Sequence, residues 1–319
     1  MNKIVNPEPL FNDEYTGEPP AKRVLGHIQS KREQGAAVAG LYCGYAPMEL
    51  IHAMDIAPAL LCSFSNAQIE AAEEHLPANL CPLIKSSYGF VIRDTCPFYA
   101  VSDVVIAETT CDGKKKMFEM MSHIRPLYVM DLPQVPEEKE ARDEWKSMIL
   151  KVKSFMEKHT GRTTTEEKIE ASIKDTNSKN ILMRKIFDFA AMQPPVISWT
   201  ELYDVIFIAM AAKGEDINPR LEEIITKLEK RVESGYYHGD LKSPRVMVTG
   251  CPVGGDALKI FKIIEELGGV VVALDACTGM KCFMDDISED TGDPVGAIAE
   301  RYLRIPCSCM TPNNRRLTE

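Results

Sequence analysis

The chain has 319 residues, of which 37 are basic and 47 are acidic, so its formal net charge at pH 7 is −10. This acidic balance argues against nucleic acid or an anionic membrane as the main partner, because both require clustered lysines and arginines. No run of the sequence approaches the roughly 20 apolar residues that span a bilayer, and the polar start has no apolar signal-peptide core. We therefore expect a cytoplasmic protein of about two domains.

Short apolar runs alternate with helical patterns over residues 36–135, after a lead-in at 1–35 that contains one helical stretch. Four runs have the length and composition of buried parallel strands: residues 36–43, 56–61, 103–108 and 126–131. A helical pattern led by Pro47 follows the first run, and Asp112 is placed to cap the helix after the third. Alternation of this kind predicts an α/β domain with a doubly wound, flavodoxin-like parallel sheet.

Helical periodicity without strands fills residues 136–243, which we interpret as a helical insert. Ser198 to Glu201 opens one of its helices, and Asn218-Pro219 places a proline in the first turn of another. The strand–helix alternation then returns over residues 244–319, which we predict to be a second α/β domain. Its strands are expected at 245–250 and 270–275, and its helices at 256–267 and 294–303. Because two strands make an incomplete sheet, we expect the chain to be truncated or completed by a partner.

The positions of the ten cysteines are the informative feature of this sequence. In a reducing cytoplasm so many thiols are not expected to form structural disulfides. Four of them directly follow predicted strands, at the edge where open α/β sheets bind ligands: Cys43, Cys111, Cys251 and Cys277. Cys81, in a proline-bearing loop, can join the first pair, and Cys309, Cys282 or Cys307 can join the second. We interpret Cys62 and Cys96 as packing residues, the commoner role of a single buried cysteine.

The candidate ligands are cysteine thiols with no obvious histidine ligand beside them, which indicates a metal that prefers sulfur ligands. Zinc and iron–sulfur clusters both meet this description, but structural zinc sites use compact cysteine pairs about two to four residues apart. Steps of 38 residues from Cys43 to Cys81 and 30 from Cys81 to Cys111 fit a cluster held by separate loops better. Near Cys43, Glu49 and His52 share a helix face and are either packing residues or proton-transfer groups.

Six cysteine motifs extend along nearly the whole chain. They read YCGYAPMELIHA at 42–53, NLCPLIKS at 79–86, TTCDGKKK at 109–116, TGCPVGGD at 249–256, DACTGMK at 275–281 and PCSCMTPN at 306–313. In combination these motifs resemble the 2-hydroxyacyl-CoA dehydratase/benzoyl-CoA reductase family, and most closely its double-cubane cluster proteins. Members of the family normally continue for another strand–helix stretch with a further cysteine, whereas this sequence stops at Glu319.

The resemblance implies two flavodoxin-like subdomains that hold an iron–sulfur cluster between them. It also implies a separate ATP-hydrolysing activator, with its own [4Fe-4S] cluster, that supplies low-potential electrons. Dehydratase members form a ketyl radical on a 2-hydroxyacyl-CoA and eliminate water, whereas the double-cubane branch resembles a reductase of small molecules. We expect a homodimeric reductase, with a heterodimeric dehydratase subunit as the alternative. A non-catalytic zinc or maturation protein is the third possibility.

The number of thiolates separates the two cluster types that the resemblance allows. A single [4Fe-4S] cubane with an open site needs about three protein thiolates, and two bridged cubanes need about six. The predicted ligands number six: Cys43, Cys81, Cys111, Cys251, Cys277 and Cys309. This count favours an [8Fe-9S] double cubane.

Overall fold

The computed structural model describes residues 7–310, which divide into two compact units that interleave along the chain. The four-stranded unit combines His27–Thr176 with the residues from Asp285 onward. The two-stranded unit combines the residues up to Gly26 with Asn177–Met284. Each unit contains a parallel sheet, so the predicted α/β class is confirmed.

The strands lie where the apolar runs predicted them. They are β1 (Ala37–Leu41), β2 (Ile56–Leu60), β3 (Val104–Glu108), β4 (Leu127–Met130), β5 (Arg245–Thr249) and β6 (Val270–Asp275). The first sheet has the order β2-β1-β3-β4, with every pair parallel, which is the order of the first four strands in a flavodoxin-like fold. The second sheet is the parallel pair of β5 and β6.

Twelve α-helices occur in residues 7–310. They are α1 (Pro20–Glu33), α2 (Met48–Ala53), α3 (Ile69–Glu73), α4 (Pro82–Ile92), α5 (Pro97–Val101), α6 (Asp112–Met121), α7 (Ala141–Thr160), α8 (Glu166–Ala191), α9 (Trp199–Ala211), α10 (Gly214–Glu233), α11 (Lys259–Glu266) and α12 (Pro294–Leu303). Within this part of the chain, none of them combines the length and apolar character that a membrane span requires.

Helices cover both faces of the four-stranded sheet, as a doubly wound arrangement requires. Successive side chains of β3 point to opposite faces, so Ile106 packs in one core and Val105 in the other. The first core also contains side chains of α2, α7 and α12, and the second contains side chains of α4 and α6. Because helices fill both faces, the carboxyl edge of the strands is the part of the sheet left to hold other groups.

Helix α12 belongs to the four-stranded unit, although the sequence analysis grouped it with the second α/β domain. Its residues Ile298 and Tyr302 are buried in the same core as Trp145 and Ile149 of α7. An ion pair adds to this contact, because Asp293 accepts hydrogen bonds from the Gly296 amide (2.9 Å) and from Lys146 of α7 (2.8 Å). The boundaries of the compact units therefore differ from those of the predicted segments. Residues 136–176 and the residues from Asp285 onward belong to the four-stranded unit, and the residues between them belong to the two-stranded unit.

Two predicted helix starts were placed wrongly. Cys111, in extended backbone, occupies the cap position of α6, and Asp112 is its first residue. Helix α10 begins at Gly214, so Pro219 lies inside it. The buried residues Ile217 and Leu221 recur one turn apart on one face, and burial of that face extends the helix toward its N-terminus. The predicted start at Ser198 is confirmed, since Ser198 and Glu201 form a capping box on α9.

Candidate functional site

All ten cysteines lie within residues 7–310, and none of them forms a disulfide. The four-stranded unit holds four of the predicted ligands: Cys43, Cys81, Cys111 and Cys309. The two-stranded unit holds the other two, Cys251 and Cys277. Cys309 therefore lies in the same unit as Cys43, whereas its position in the sequence had grouped it with Cys251. The reason is that α12, which precedes it, packs on α7.

Cys43 and Cys111 follow neighbouring parallel strands. β1 ends at Leu41 and β3 at Glu108, and Leu41 pairs with Ile106 in the register of the sheet. Because parallel strands end at the same edge, both thiols lie at the carboxyl edge of the four-stranded sheet.

Cys81 and Cys111 each precede the first residue of a helix, α4 and α6 respectively, and both are exposed. The two helices approach closely at Gly113. A Cβ atom there would lie 2.8 Å from Leu80 Cδ1 and 2.9 Å from Ile84 Cδ1, so a larger residue would require these two side chains to shift. The backbone N–H groups at a helix N-terminus stabilise a negatively charged ligand bound there.

A buried lysine anchors the loop that leads to Cys81. Lys85 Nζ donates hydrogen bonds to Glu73 Oε1 at 2.5 Å and to the Ala78 carbonyl at 2.6 Å. The lysines after Cys111 divide into two groups. Lys115 and Lys116 form exposed ion pairs with Asp112 (3.2 Å) and Glu119 (2.7 Å), as a solvated helix face would, whereas Lys114 is buried.

Cys307 and Cys309 form a close pair of thiols beside Cys43. The Sγ atom of Cys309 lies 3.4 Å from that of Cys307 and 3.6 Å from the hydroxyl of Tyr45. A hydrogen bond from Cys309 lowers the pKa of Cys307 to about 6, and the same bond raises the pKa of Cys309. Negative charge on Cys43 opposes ionisation of both. The sequence left Cys307 and Cys309 as alternatives, and the structure brings both close to Cys43.

We expect the Cys307 thiol of the iron-free protein to react with iodoacetamide with a half-maximal rate near pH 6, the pKa to which its hydrogen bond lowers it. The thiolate is the reactive form, so the rate rises through this pH and reaches a plateau above it. Cys309→Ala removes the donor and should move the midpoint upward. Peptide mapping of the alkylated protein measures both, and a wild-type midpoint near the ordinary cysteine value of about 8.5 would contradict this expectation.

In the two-stranded unit, Cys251 and Cys277 lie in adjacent turns after β5 and β6. Thr249 pairs with Asp275 at the ends of these strands, and its hydroxyl donates to Asp275 Oδ2 at 2.8 Å. The buried Thr278 ties the turns together, because its Oγ1 accepts from the Val253 amide (2.9 Å) and donates to the Val253 carbonyl (2.7 Å). These bonds hold Val253, two residues after Cys251, against Thr278, the residue after Cys277.

The remaining cysteines make local contacts with the backbone. Cys62 Sγ donates to the Tyr42 carbonyl at 3.1 Å, and Cys96 Sγ accepts from the Tyr99 amide at 3.4 Å. Burial raises the pKa of Cys96. These contacts agree with the packing role predicted for both residues. Cys282 Sγ lies 3.5 Å from the carbonyl of Cys277, which supports the turn that carries Cys277.

Two buried carboxyl groups lie near Cys43 in the four-stranded unit. Glu49 is 3% exposed and accepts a hydrogen bond from the Tyr302 hydroxyl at 3.1 Å, so it is a satisfied buried residue. Glu108 is fully buried, and the sequence analysis did not single it out. The sequence nevertheless contains a sign of it, because an acidic residue at the end of the apolar run Val104–Ala107 is unusual for a buried strand.

Within residues 7–310, no three His, Cys, Asp or Glu side chains are grouped closely enough to hold a metal ion. The donors nevertheless fit an iron–sulfur cluster in chemistry. They are all thiols, and four of them, Cys43, Cys111, Cys251 and Cys277, each follow a strand of one of the two sheets.

Comparison with known proteins places the chain among dehydratase and reductase components. The family model described as 2-hydroxyglutaryl-CoA dehydratase, D-component, matches residues 43–319. A protein of Escherichia coli (strain K12) that carries the name "Putative dehydratase subunit YjiM" is 37% identical over 91% of this chain and 75% of its own length. The (R)-phenyllactyl-CoA dehydratase beta subunit of Clostridium sporogenes is 21% identical over 98% of this chain and 80% of its own length.

A more distant relative is a benzoyl-CoA reductase subunit of Thauera aromatica, 19% identical over 81% of this chain and 66% of its own length. The dehydratase and reductase names agree with the resemblance drawn from the cysteine motifs. The family model covers all six of those motifs except the first residue of the first one. The chain therefore belongs to the 2-hydroxyglutaryl-CoA dehydratase D-component family and is an enzyme component.

Proposed function

We propose that this chain is an iron–sulfur redox component that reduces a small molecule with low-potential electrons from a separate ATP-hydrolysing activator carrying a [4Fe-4S] cluster. The observation that supports the proposal most strongly is the repeated placement of a cysteine after a parallel strand. It occurs after β1, β3, β5 and β6, and thus in both sheets. Ligand sites of open α/β sheets lie at this edge, and thiolates are the usual ligands of iron–sulfur clusters.

The proposed ligands are the six thiols Cys43, Cys81, Cys111, Cys251, Cys277 and Cys309. Six thiolates match a double cubane of the [8Fe-9S] type, which would supply one-electron chemistry at low potential. The chain's own residues would stabilise its negative charge. Cys81 and Cys111 directly precede the N-termini of α4 and α6, whose backbone N–H groups favour nearby negative charge.

A dehydratase component is the second candidate, because the Clostridium sporogenes relative is a phenyllactyl-CoA dehydratase beta subunit. In this case the substrate would be a 2-hydroxyacyl-CoA, the cluster would be a single [4Fe-4S] cubane, and the partner would be an unlike subunit. For the reductase we propose a homodimer, which sedimentation of the purified chain would distinguish from a chain that requires a second subunit.

Anaerobic electron transfer tests the proposal. The cluster-loaded chain is mixed with an ATP-dependent [4Fe-4S] activator, and cluster reduction is followed by visible absorption and EPR, with and without ATP. We expect reduction that requires ATP, and no enoyl-CoA product when a 2-hydroxyacyl-CoA is added. Formation of enoyl-CoA would favour the dehydratase. A cluster that the activator cannot reduce would contradict both hypotheses, and a zinc-loaded chain would indicate a non-catalytic role.

Thr278 gives a prediction in the two-stranded unit. Thr278→Val removes the hydroxyl that bonds both backbone groups of Val253, so the turns with Cys251 and Cys277 lose one of the links between them. Residues that orient metal ligands contribute about 10- to 100-fold to metal affinity. We expect a loss of iron affinity within this range, measured by competition with a chelator. Thr278→Ser keeps the hydroxyl and should restore it, and a valine variant as tight as wild type would contradict the prediction.

A further inference from the structure

Cys307 and Cys309 form a pair of thiols that face each other in the four-stranded unit. Their Sγ atoms lie 3.4 Å apart, and Cys309 Sγ lies 3.6 Å from the hydroxyl of the buried Tyr45. A covalent S–S bond is about 2 Å long, so the two sulfur atoms need to approach by only about 1.4 Å to form one. The pair is therefore close to the geometry of a disulfide, although both residues are free thiols in the structure.

The backbone on either side holds the pair in place. Met310 is 3% exposed and lies in the apolar core of the unit, and Ile305 packs against the same core. Between these anchors, the Cys307 amide donates to the Ile305 carbonyl at 2.7 Å, and the Met310 amide donates to the Cys307 carbonyl at 3.1 Å. Ser308 is exposed, whereas the cysteines on both sides of it are half-buried. The turn thus keeps the two thiols together and leaves them within reach of a small reagent.

Cys277 and Cys282 provide the contrast, because they are also close in the sequence. The Sγ atom of Cys282 lies 3.5 Å from the backbone carbonyl of Cys277, so this contact joins a thiol to the backbone. The contact between Cys307 and Cys309 joins two thiols. A short spacing between cysteines therefore does not by itself produce a facing pair, and the fold of residues 305–310 does.

We propose that Cys307 and Cys309 are a thiol–disulfide exchange site, which a small disulfide of the glutathione type converts to an intramolecular disulfide in the iron-free chain. One cysteine sulfur attacks the reagent R–S–S–R and displaces one R–SH, which leaves a mixed disulfide. The other cysteine sulfur attacks this mixed disulfide, and the S–S bond between the two residues forms as the second R–SH leaves. The pair thus loses two electrons and two protons, and the reagent gains them.

The disulfide would act as a reversible block on metal loading. Disulfides that are strained or exposed are readily reduced, and cytosolic disulfides are usually transient and redox-sensing. While the disulfide is present, Cys309 is withdrawn from the proposed metal ligands, so the oxidised chain cannot load a complete cluster. This consequence rests on the proposed function, whereas formation of the disulfide does not.

Peptide mapping of the iron-free chain tests the exchange site. The chain is incubated anaerobically with glutathione disulfide, alkylated with iodoacetamide and digested with trypsin, which releases residues 305–315 with both cysteines and no other. We expect this peptide to be unalkylated and two hydrogen atoms lighter. It should form at least about tenfold faster than Cys277 and Cys282 become blocked, because its second step is intramolecular. In Cys309→Ser, Cys307 should instead accumulate the mixed disulfide with glutathione.

Peptide 305–315 alkylated at both cysteines after this treatment would overturn the inference, and so would a disulfide that links either residue to Cys43. Reconstitution with iron and sulfide, before and after reduction by dithiothreitol, tests the block on loading. We expect less iron in the oxidised chain and recovery after reduction. Equal iron in both forms would overturn the block, and no iron in either form would refute the proposed function and leave the exchange site intact.

Discussion

Replacing Cys81 by serine is expected to lower the iron that the anaerobically reconstituted chain binds by up to about half, because each cubane of a double cubane would have about three protein thiolates and the loss of one would destabilise that cubane. The thiol is exposed at the N-terminus of α4, beside the N-terminus of α6 that carries Cys111. A serine hydroxyl is a poor ligand for this soft metal site. Iron and acid-labile sulfide per chain, together with the visible spectrum, measure the loss.

Cys96→Ser is the matched control. Like Cys81, Cys96 occupies the cap position of a helix and is followed by proline. Unlike Cys81, it is half-buried, and its thiol accepts from the Tyr99 amide, a contact that a serine oxygen can reproduce. We expect the Cys96 variant to bind as much iron as wild type. Equal iron in both variants would show that Cys81 is not a ligand.

Replacing Trp145 by alanine is expected to lower the free energy of unfolding by about 3–5 kcal/mol, the usual effect of removing a buried aromatic side chain. Trp145 is 0% exposed, lies in the core shared by α7 and α12, and meets the ring of Tyr45 edge-on with 6.2 Å between centroids. Tyr45 in turn lies 3.6 Å from Cys309. The cavity would therefore form directly behind the Cys307–Cys309 pair.

Urea unfolding of the iron-free chain measures this effect, with Leu150→Ala as the control on the same helix. Leu150 is 43% exposed, so its replacement should change the free energy of unfolding by no more than about 0.5 kcal/mol. Similar values for the two variants would contradict the packing described for α7. We also expect Trp145→Ala to shift the pH at which the alkylation rate of Cys307 is half-maximal, because the Tyr45 ring would lose its packing contact with Trp145.

The sheets and the placement of the first cysteines could be predicted from the sequence for a physical reason. A strand buried on both faces is expected to be apolar along most of its length, so β1 and the first four residues of β3 are visible as uninterrupted apolar runs. The residue that follows such a run lies at the edge of the sheet in any doubly wound fold. Cys43 and Cys111 could therefore be assigned to one edge without knowledge of the tertiary structure.

The unit that contains α12 and Cys309 could not be predicted in this way. Periodicity shows that Ile298 and Tyr302 share an apolar face, but it does not show which surface covers that face. In the structure α7 covers it, and an ion pair between Asp293 and Lys146 adds to the contact.

The metal content of the chain tests the central claim most directly. Iron, acid-labile sulfide and zinc are to be measured per chain after anaerobic purification. The proposed double cubane predicts about eight irons with a similar amount of sulfide, and about four would indicate the single cubane of the dehydratase hypothesis. Zinc without iron would contradict the account, because the six thiols would then hold a metal that transfers no electrons.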